Sequence, residues 1–406
     1  MSPIPLVATC PEETRPALEA ELRALGVQAL RPVFRAIEFE AGPALFYELH
    51  LRLRTASRLL RVIRTVPART PQMLHSQVRR LHWPQWFDAR HRFRVEVAGD
   101  ESTLPARQVV TQVREGIRAS FAAAGAPVPA IDTAEPRVVV VAHLAQGRCT
   151  LCFDTTGKAL HKRGYRALGH PAPLKETLAA AILQLAGYDG TQSLLDPMCG
   201  SGTLAIEAAM IAVRKAPQIH RRKGEFHFEW LAGFDRALWR ETQERVRAGK
   251  LDAPPAPLFA SDLEPRYVEM ARRSALAARV ERYVTFEARR VQDVEPPAPH
   301  GLLVTNLPYG DRIGAAGDAL DALYEAFGDV LKQRFSGWTA AVLAAADSPW
   351  RRIGLKPGRS IELMNGSIPC RLLAFELYRG SRRRPVHRAG EDAASRGTPA
   401  DDATRA

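Results

Sequence analysis

In the second half of the chain, short apolar runs alternate with helix-like stretches, and that alternation constrains the fold more than any other feature. Residues 193–195, 258–261, 284–288, 301–305, 339–344 and 372–378 read as strands, and 203–213, 265–278 and 319–335 as helices between some of them. Such an order predicts a mostly parallel sheet covered by helices on both faces. Residues 174–185 precede it as a helix. Residues 214–256 interrupt it with a basic patch at 220–223 and the aromatic cluster Phe226, Phe228 and Trp230, which reads as an insertion packed against the sheet.

The first half has a different rhythm. Residues 5–9, 15–25, 33–40 and 43–61 read as strand, helix, strand and helix, with Gly26 closing the first helix and Gly42 the second strand. A helix at 71–81, a strand at 92–98, a helix at 106–123 and a hairpin follow, the hairpin pairing 137–144 with 149–154 around Gln146-Gly147. Residues 125–136 hold three prolines and read as a loop. Residues 379–406 lack aromatics and read as a disordered tail.

The formal net charge of +13 is unevenly spread. Residues 1–50 carry four Arg against seven Glu, whereas 52–94 carry eleven Arg, no Lys and a single acid, Asp88. A dense run of one sign attracts a polyanion, and the planar fork of arginine suits phosphates and bases. Arg52, Arg54, Arg79 and Arg80 are the candidates here; the simpler alternative is arginine written for lysine on solvated faces. The basic connector adds Lys162, Arg163, Tyr165 and Arg166, charges beside a ring able to stack on a base, with a solvated linker as the equal alternative. RNA is the partner these segments suit.

Five cysteines are too few and too scattered for a disulfide scaffold. Cys149 and Cys152 share an alternating segment in which an offset of three sends them to opposite faces, so neither a redox pair nor a metal site is expected. No apolar run approaches the ~18 residues that span a bilayer, and the N-terminus lacks a basic region followed by a long apolar core. The chain therefore reads as cytoplasmic, with no membrane partner.

Two motifs carry the chemistry. The first strand of the alternating half runs into Asp196-Pro197-Met198-Cys199-Gly200-Ser201-Gly202-Thr203. Ligands of open α/β sheets bind at the carboxyl ends of strands near the switch in strand order. Glycine allows close approach there, and the following helix offers free N–H groups, which suits a nucleoside cofactor. Asp262 ends the next strand, where a carboxylate can accept from both ribose hydroxyls; the competing role is a helix N-cap ahead of Pro265. A nicotinamide fingerprint fails because Ile206 stands where its third glycine belongs, and no P-loop pattern occurs. Residues 310–317 are glycine-rich and read as a loop.

The second motif, Asn306-Leu307-Pro308-Tyr309, ends a later strand. An exocyclic amine on a base is a poor nucleophile because its lone pair is delocalised. The Asn306 side-chain oxygen and the Leu307 carbonyl, accepting both amine protons, would hold that nitrogen tetrahedral and reactive, with the enzyme's main contribution being in-line positioning. Tyr309 would stack on a base taken out of its helix or loop. In isolation, a proline turn with a buried tyrosine is the simpler reading. Together the motifs form two halves of a methyl-transfer site.

These residues resemble the THUMP-domain class I RNA methyltransferases, specifically the 23S ribosomal RNA guanine-N2 methyltransferases of the RlmL type. The resemblance extends through 160–166, 173–183, the Asp262 turn, 304–314 and 365–377, and covers nearly the whole chain except the tail. It implies an α+β ferredoxin-like region (1–66), a THUMP RNA-binding domain (67–155), a basic connector (156–173) and a Rossmann-like α/β catalytic domain (174–379), ahead of the tail at 380–406. It also implies S-adenosyl-L-methionine as cofactor, held by Asp196, Pro197, Cys199, Gly200, Ser201, Gly202, Thr203, Asp262, Leu263 and Asp293, with residues 306–309 at the target base. The implied partner is 23S rRNA or a large-subunit assembly intermediate; a tRNA guanine-N2 methyltransferase and a catalytically silent assembly factor are the alternatives. Three departures accompany the resemblance. Leu307 replaces the first proline of the family's Asn-Pro-Pro-Tyr, a form also similar to dimethyladenosine transferases. Arg290 stands where an acid is expected to meet the adenine amine, with Asp293 three residues on as its substitute. A second methyltransferase domain present in some relatives does not follow in this sequence.

Overall fold

The computed structural model describes residues 3–378, apart from 101, 103, 167–173 and 310–316. The expected tail, most of the glycine-rich loop and the end of the connector lie outside the described residues.

The first seven-stranded sheet runs β2-β3-β1-β4-β7-β6-β5. Its strands are β1 (Ile4–Thr9), β2 (Leu30–Val33), β3 (Ala36–Ala41), β4 (Arg58–Pro67), β5 (Phe93–Gly99), β6 (Val138–Ala145) and β7 (Arg148–Asp154). The expected strand at 33–40 is a tight hairpin instead, because Arg35 takes φ 56° and turns β2 back on β3. Likewise the helix expected at 43–61 ends at Arg52: α1 (Arg15–Ala24) and α2 (Pro43–Arg52) flank β1 and β3, and the chain re-extends into β4. β4 pairs with β1 on one side and β7 on the other, so the expected boundary at 66 falls within a strand shared by both halves of one sheet. α3 (Pro71–Arg80) and α4 (Ala106–Ala123) pack together over the β5–β7 part. Cys149 and Cys152 are buried in different apolar clusters on opposite faces of β7.

The second seven-stranded sheet runs β10-β9-β8-β11-β12-β14-β13. β8 (Leu194–Asp196), β9 (Leu258–Asp262), β10 (Val284–Ala288), β11 (Leu302–Asn306) and β12 (Thr339–Ala345) are parallel, and strand order reverses between β8 and β11. β14 (Ile368–Glu376) and the edge strand β13 (Arg359–Asn365) are antiparallel. α5 (Glu176–Leu185), α6 (Thr203–Ala212), α8 (Pro265–Ala277) and α9 (Asp318–Arg334) cover the sheet. α6 is buried along nearly its whole length and is apolar all round but for Thr203 and Glu207.

The 214–256 insertion packs mainly on the N-terminal region, with Leu251 at its end reaching the core of this sheet. Its helix α7 (Arg236–Ala248), capped by the Asp235 carboxylate accepting from the Ala237 and Leu238 N–H groups, lies on α2 of the N-terminal region. Phe226, Phe228 and Trp239 enter one apolar cluster with Leu18, Phe46 and Tyr47. The Phe228 ring lies 5.2 Å from Tyr47, 4.7 Å from the buried His50 and 5.1 Å from Trp239, centroid to centroid. The outer face of α2 is aromatic, and the insertion is what covers it.

Candidate active site

The carboxyl ends of β8, β9, β10 and β11 open onto a cavity of about 710 Å³ lined by residues 196–201, 203, 262–264, 290–292, 306 and 308 among others. This lies where strand order reverses, as expected for a ligand site in a parallel sheet. The turn after β8 is stitched to β9: Cys199 N–H donates to the Ser261 carbonyl (2.9 Å) and Gly200 N–H to the Asp262 carboxylate (2.9 Å). The same carboxylate accepts from Glu264 N–H at 3.1 Å, ahead of α8. Asp262 and Leu263 both line the cavity at the end of β9.

Asp196 is buried, and its Oδ1 accepts a long hydrogen bond from Met198 N–H, 3.4 Å. Burial pushes its pKa up to about 7, the Thr305 hydroxyl and the Met198 N–H oppose this, and the Asp262 charge adds to it. Burial also raises the Cys199 thiol, which is therefore protonated. Gly202 departs from its expected place: it is not part of the cavity lining. It takes φ 79°, and a Cβ there would lie 2.8 Å from the Ala271 Cβ on α8. Glycine is needed at 202 for backbone conformation and helix approach.

On the opposite wall, Asn306 ends β11 with its side-chain oxygen buried and without a hydrogen-bond partner among the described residues. Such an acceptor costs about 1–3 kcal/mol until something donates to it. Leu307 N–H donates to the Leu343 carbonyl at 2.9 Å, and its side chain is buried in the core beneath α9. The Pro308 carbonyl accepts from the Tyr324 hydroxyl at 3.1 Å. Tyr309 does not line the cavity: its ring is buried in the core, and its hydroxyl accepts from the Asn365 amide at 2.6 Å. Its anchoring to β13 replaces the expected stacking role. Asp293 is exposed and outside the lining; Arg290 and Gln292 form that wall, and Arg266 and Tyr267 join the cavity from α8. A polar residue just past a strand end, as Gln292 is past β10, was the sequence signal for it.

The expected RNA-binding residues divide in two. Arg52, Arg79, Arg80 and Lys162 are exposed. Arg54, Arg163, Tyr165 and Arg166 instead form an interior network. Arg163 and Glu207 side chains are both fully buried with Nε and Oε1 2.8 Å apart, and the Tyr165 hydroxyl donates to Glu207 at 2.8 Å. Arg166 pairs with Glu176 at 3.0 Å, and Arg54 donates to the Met210 and Lys215 carbonyls. Buried carboxylates hold these cations, so Arg163 and Tyr165 tie the connector to α6 and do not meet solvent. An acid at the centre of an otherwise apolar α6 was the signal of that pairing. Among the described residues no cluster of three or more His, Cys, Asp or Glu is placed to hold a metal ion, and no helix is long and apolar enough to cross a membrane.

Three family models match: an RMKL-like methyltransferase domain over residues 163–374, an RlmL ferredoxin-like domain over 5–60 and a THUMP domain over 68–154. A Synechocystis protein described as a candidate RNA methyltransferase is 35% identical, with 92% of this chain and 97% of that protein covered. The ribosomal RNA large subunit methyltransferase K/L of Vibrio campbellii is 36% identical over 87% of this chain and 50% of that protein; the chain spans about half the length of the K/L relatives it matches. Among solved structures, a candidate methyltransferase complexed with S-adenosylhomocysteine superposes with TM-score 0.84 at 28% identity, covering 94% of this chain and 100% of that one.

Proposed function

Because the chain belongs to the RMKL-like methyltransferase family and carries RlmL ferredoxin-like and THUMP domains ahead of the catalytic one, we propose that it is an S-adenosylmethionine-dependent enzyme that methylates the N2 amine of a guanine in 23S rRNA, free or within a large-subunit assembly intermediate. The observation that carries this reading is the buried, unpartnered oxygen of Asn306, a residue at the end of β11 that lines a cavity otherwise fitted for a nucleoside.

Bound in the cavity, S-adenosylmethionine supplies an electrophilic methyl group. The chain's own residues do the rest. Asp196, Pro197, Cys199, Gly200, Ser201 and Thr203 form one wall, and the Asp262 carboxylate, at the end of β9 beside Leu263, suits the two ribose hydroxyls. Asn306 accepts one proton of the target amine and the Leu307 carbonyl the other, which localises the nitrogen lone pair. The Tyr324 hydrogen bond to Pro308 and the Leu307 bond to Leu343 keep that segment in place. Arg52, Arg79, Arg80 and Lys162 offer exposed charge to the RNA backbone.

The test is methyl transfer from labelled S-adenosylmethionine to RNA from a strain lacking this gene, followed by nucleoside mass spectrometry. N2-methylguanosine in the 23S fraction is expected. The same product in tRNA, or methylated adenosine, would overturn the target, and no measurable cofactor binding would overturn the enzyme. Asn306→Ala should lower transfer at least ~100-fold, since misplaced reacting atoms cost that much, while calorimetry finds cofactor affinity little changed. Retained turnover would remove Asn306 from the amine-holding role.

A further inference from the structure

Away from this site, Lys215, His220, Arg247, Lys250, Arg279 and Arg282 converge on a second cleft, of about 470 Å³. Ile219, Val246, Leu276 and Tyr283 give it an apolar floor, and Glu281 is the one acid in its lining. Among the described residues none of the five lysines and arginines is in an ion pair, whereas exposed arginines such as Arg245 and Arg273 are paired with glutamates. Neutral acceptors hold the cations instead. The Lys215 ammonium donates to the Ala278 carbonyl, and Lys250 and Arg282 donate to the Tyr283 hydroxyl at 2.9 and 2.6 Å. Like charges gathered without counter-charge repel one another, so the fold spends stability to keep them together.

Two further features bear on this cleft. Arg279 follows α8 with φ 55°, a conformation at a helix end that glycine adopts most cheaply. His220 is pushed down to about 4 by burial and by the charges of Lys215, Arg279 and Arg247. The position is also informative. Tyr283 immediately precedes β10, whereas the active-site wall at 290–292 follows it, which puts the two clefts at opposite ends of one strand. Ile219 and Val246 belong at the same time to the core of the N-terminal region, so the cleft lies where that region joins the catalytic domain.

We infer that this cleft binds a nucleotide phosphate of the RNA substrate away from the target base, with the nucleoside lying on the floor formed by Ile219, Leu276 and Tyr283. The inference rests on RNA being the substrate. Its test is a doubly substituted full-length protein, Arg247→Gln with Arg282→Gln, both exposed, compared with Arg359→Gln and Arg371→Gln at the far edge of the same sheet. Removing two of the cations that neutralise this phosphate should make the slope of log K against log salt shallower by about 0.7–0.9 and weaken RNA binding roughly tenfold, with cofactor affinity unchanged and the control pair near wild type. An unchanged slope, or equal losses in the control pair, would overturn the cleft. Adenosine monophosphate titrated alongside separates the sources of phosphate: loss of its binding with RNA affinity intact would assign the cleft to a free nucleotide and overturn the RNA assignment. Absence of RNA binding by the wild type would instead defeat the functional reading itself.

Discussion

Asp196 is held in a state that its ordinary chemistry does not favour. Its pKa, about 7 in the folded protein against 3.8 for an unperturbed aspartate, means that between those values the folded form binds a proton that the unfolded form has released. Stability therefore falls as pH rises through that window, and the loss is complete above pH 7. Without cofactor, the advantage in unfolding free energy of Asp196→Asn over wild type should grow by something on the order of a few kcal/mol between pH 4 and 7, then level off. Denaturant titrations at several pH values measure this, and a difference independent of pH would show that Asp196 is ionised throughout. Asp196, Asp262 and Asn306 were legible in the sequence because each ends an apolar run, and a strand end fixes where a side chain emerges. Arg163 and Tyr165 were not, since a charge in a sequence does not display its counter-charge. Glu207 lies far along the chain, and only packing brings it to them.

At the level of elements, the alternating half was the easier to read because its strands are buried on both faces and stand out as short apolar runs. β13 escaped notice: as an edge strand with polar and charged residues through much of its length, it has a weak apolar signal. The β2–β3 hairpin escaped because its turn uses Arg35 at positive φ where glycine or asparagine usually marks the bend. The contact of α6 with α8 gives a direct test. Gly202→Ala adds a methyl into a 2.8 Å contact with Ala271 at a left-handed backbone position, so a loss of about 1–3 kcal/mol is expected. Thermal or denaturant unfolding would read it, and an unchanged midpoint would mean that the two helices can separate at no cost.

The whole molecule is more interleaved than its linear order of domains suggests. β4 serves two neighbours in one sheet, and α7 and the 226–239 aromatics, which belong in sequence to the catalytic half, complete the core of the N-terminal one. A fragment of residues 1–160 should therefore expose Phe46 and Tyr47, bind a hydrophobic dye and lack a sharp unfolding transition. A cooperative transition matching that of the full chain would show that the N-terminal core closes without the insertion. The sequence could not reveal this arrangement, because an aromatic cluster announces that it will be buried but not against which partner.

That shared core also sets a timetable for synthesis. Tyr47 and Trp239 are about 190 residues apart, and at ~5–20 residues per second a ribosome finishes the second roughly 10–40 s after the first. During that interval the nascent N-terminal region carries an uncovered aromatic face, which makes the emerging chain a client for holding chaperones until α7 has left the exit tunnel.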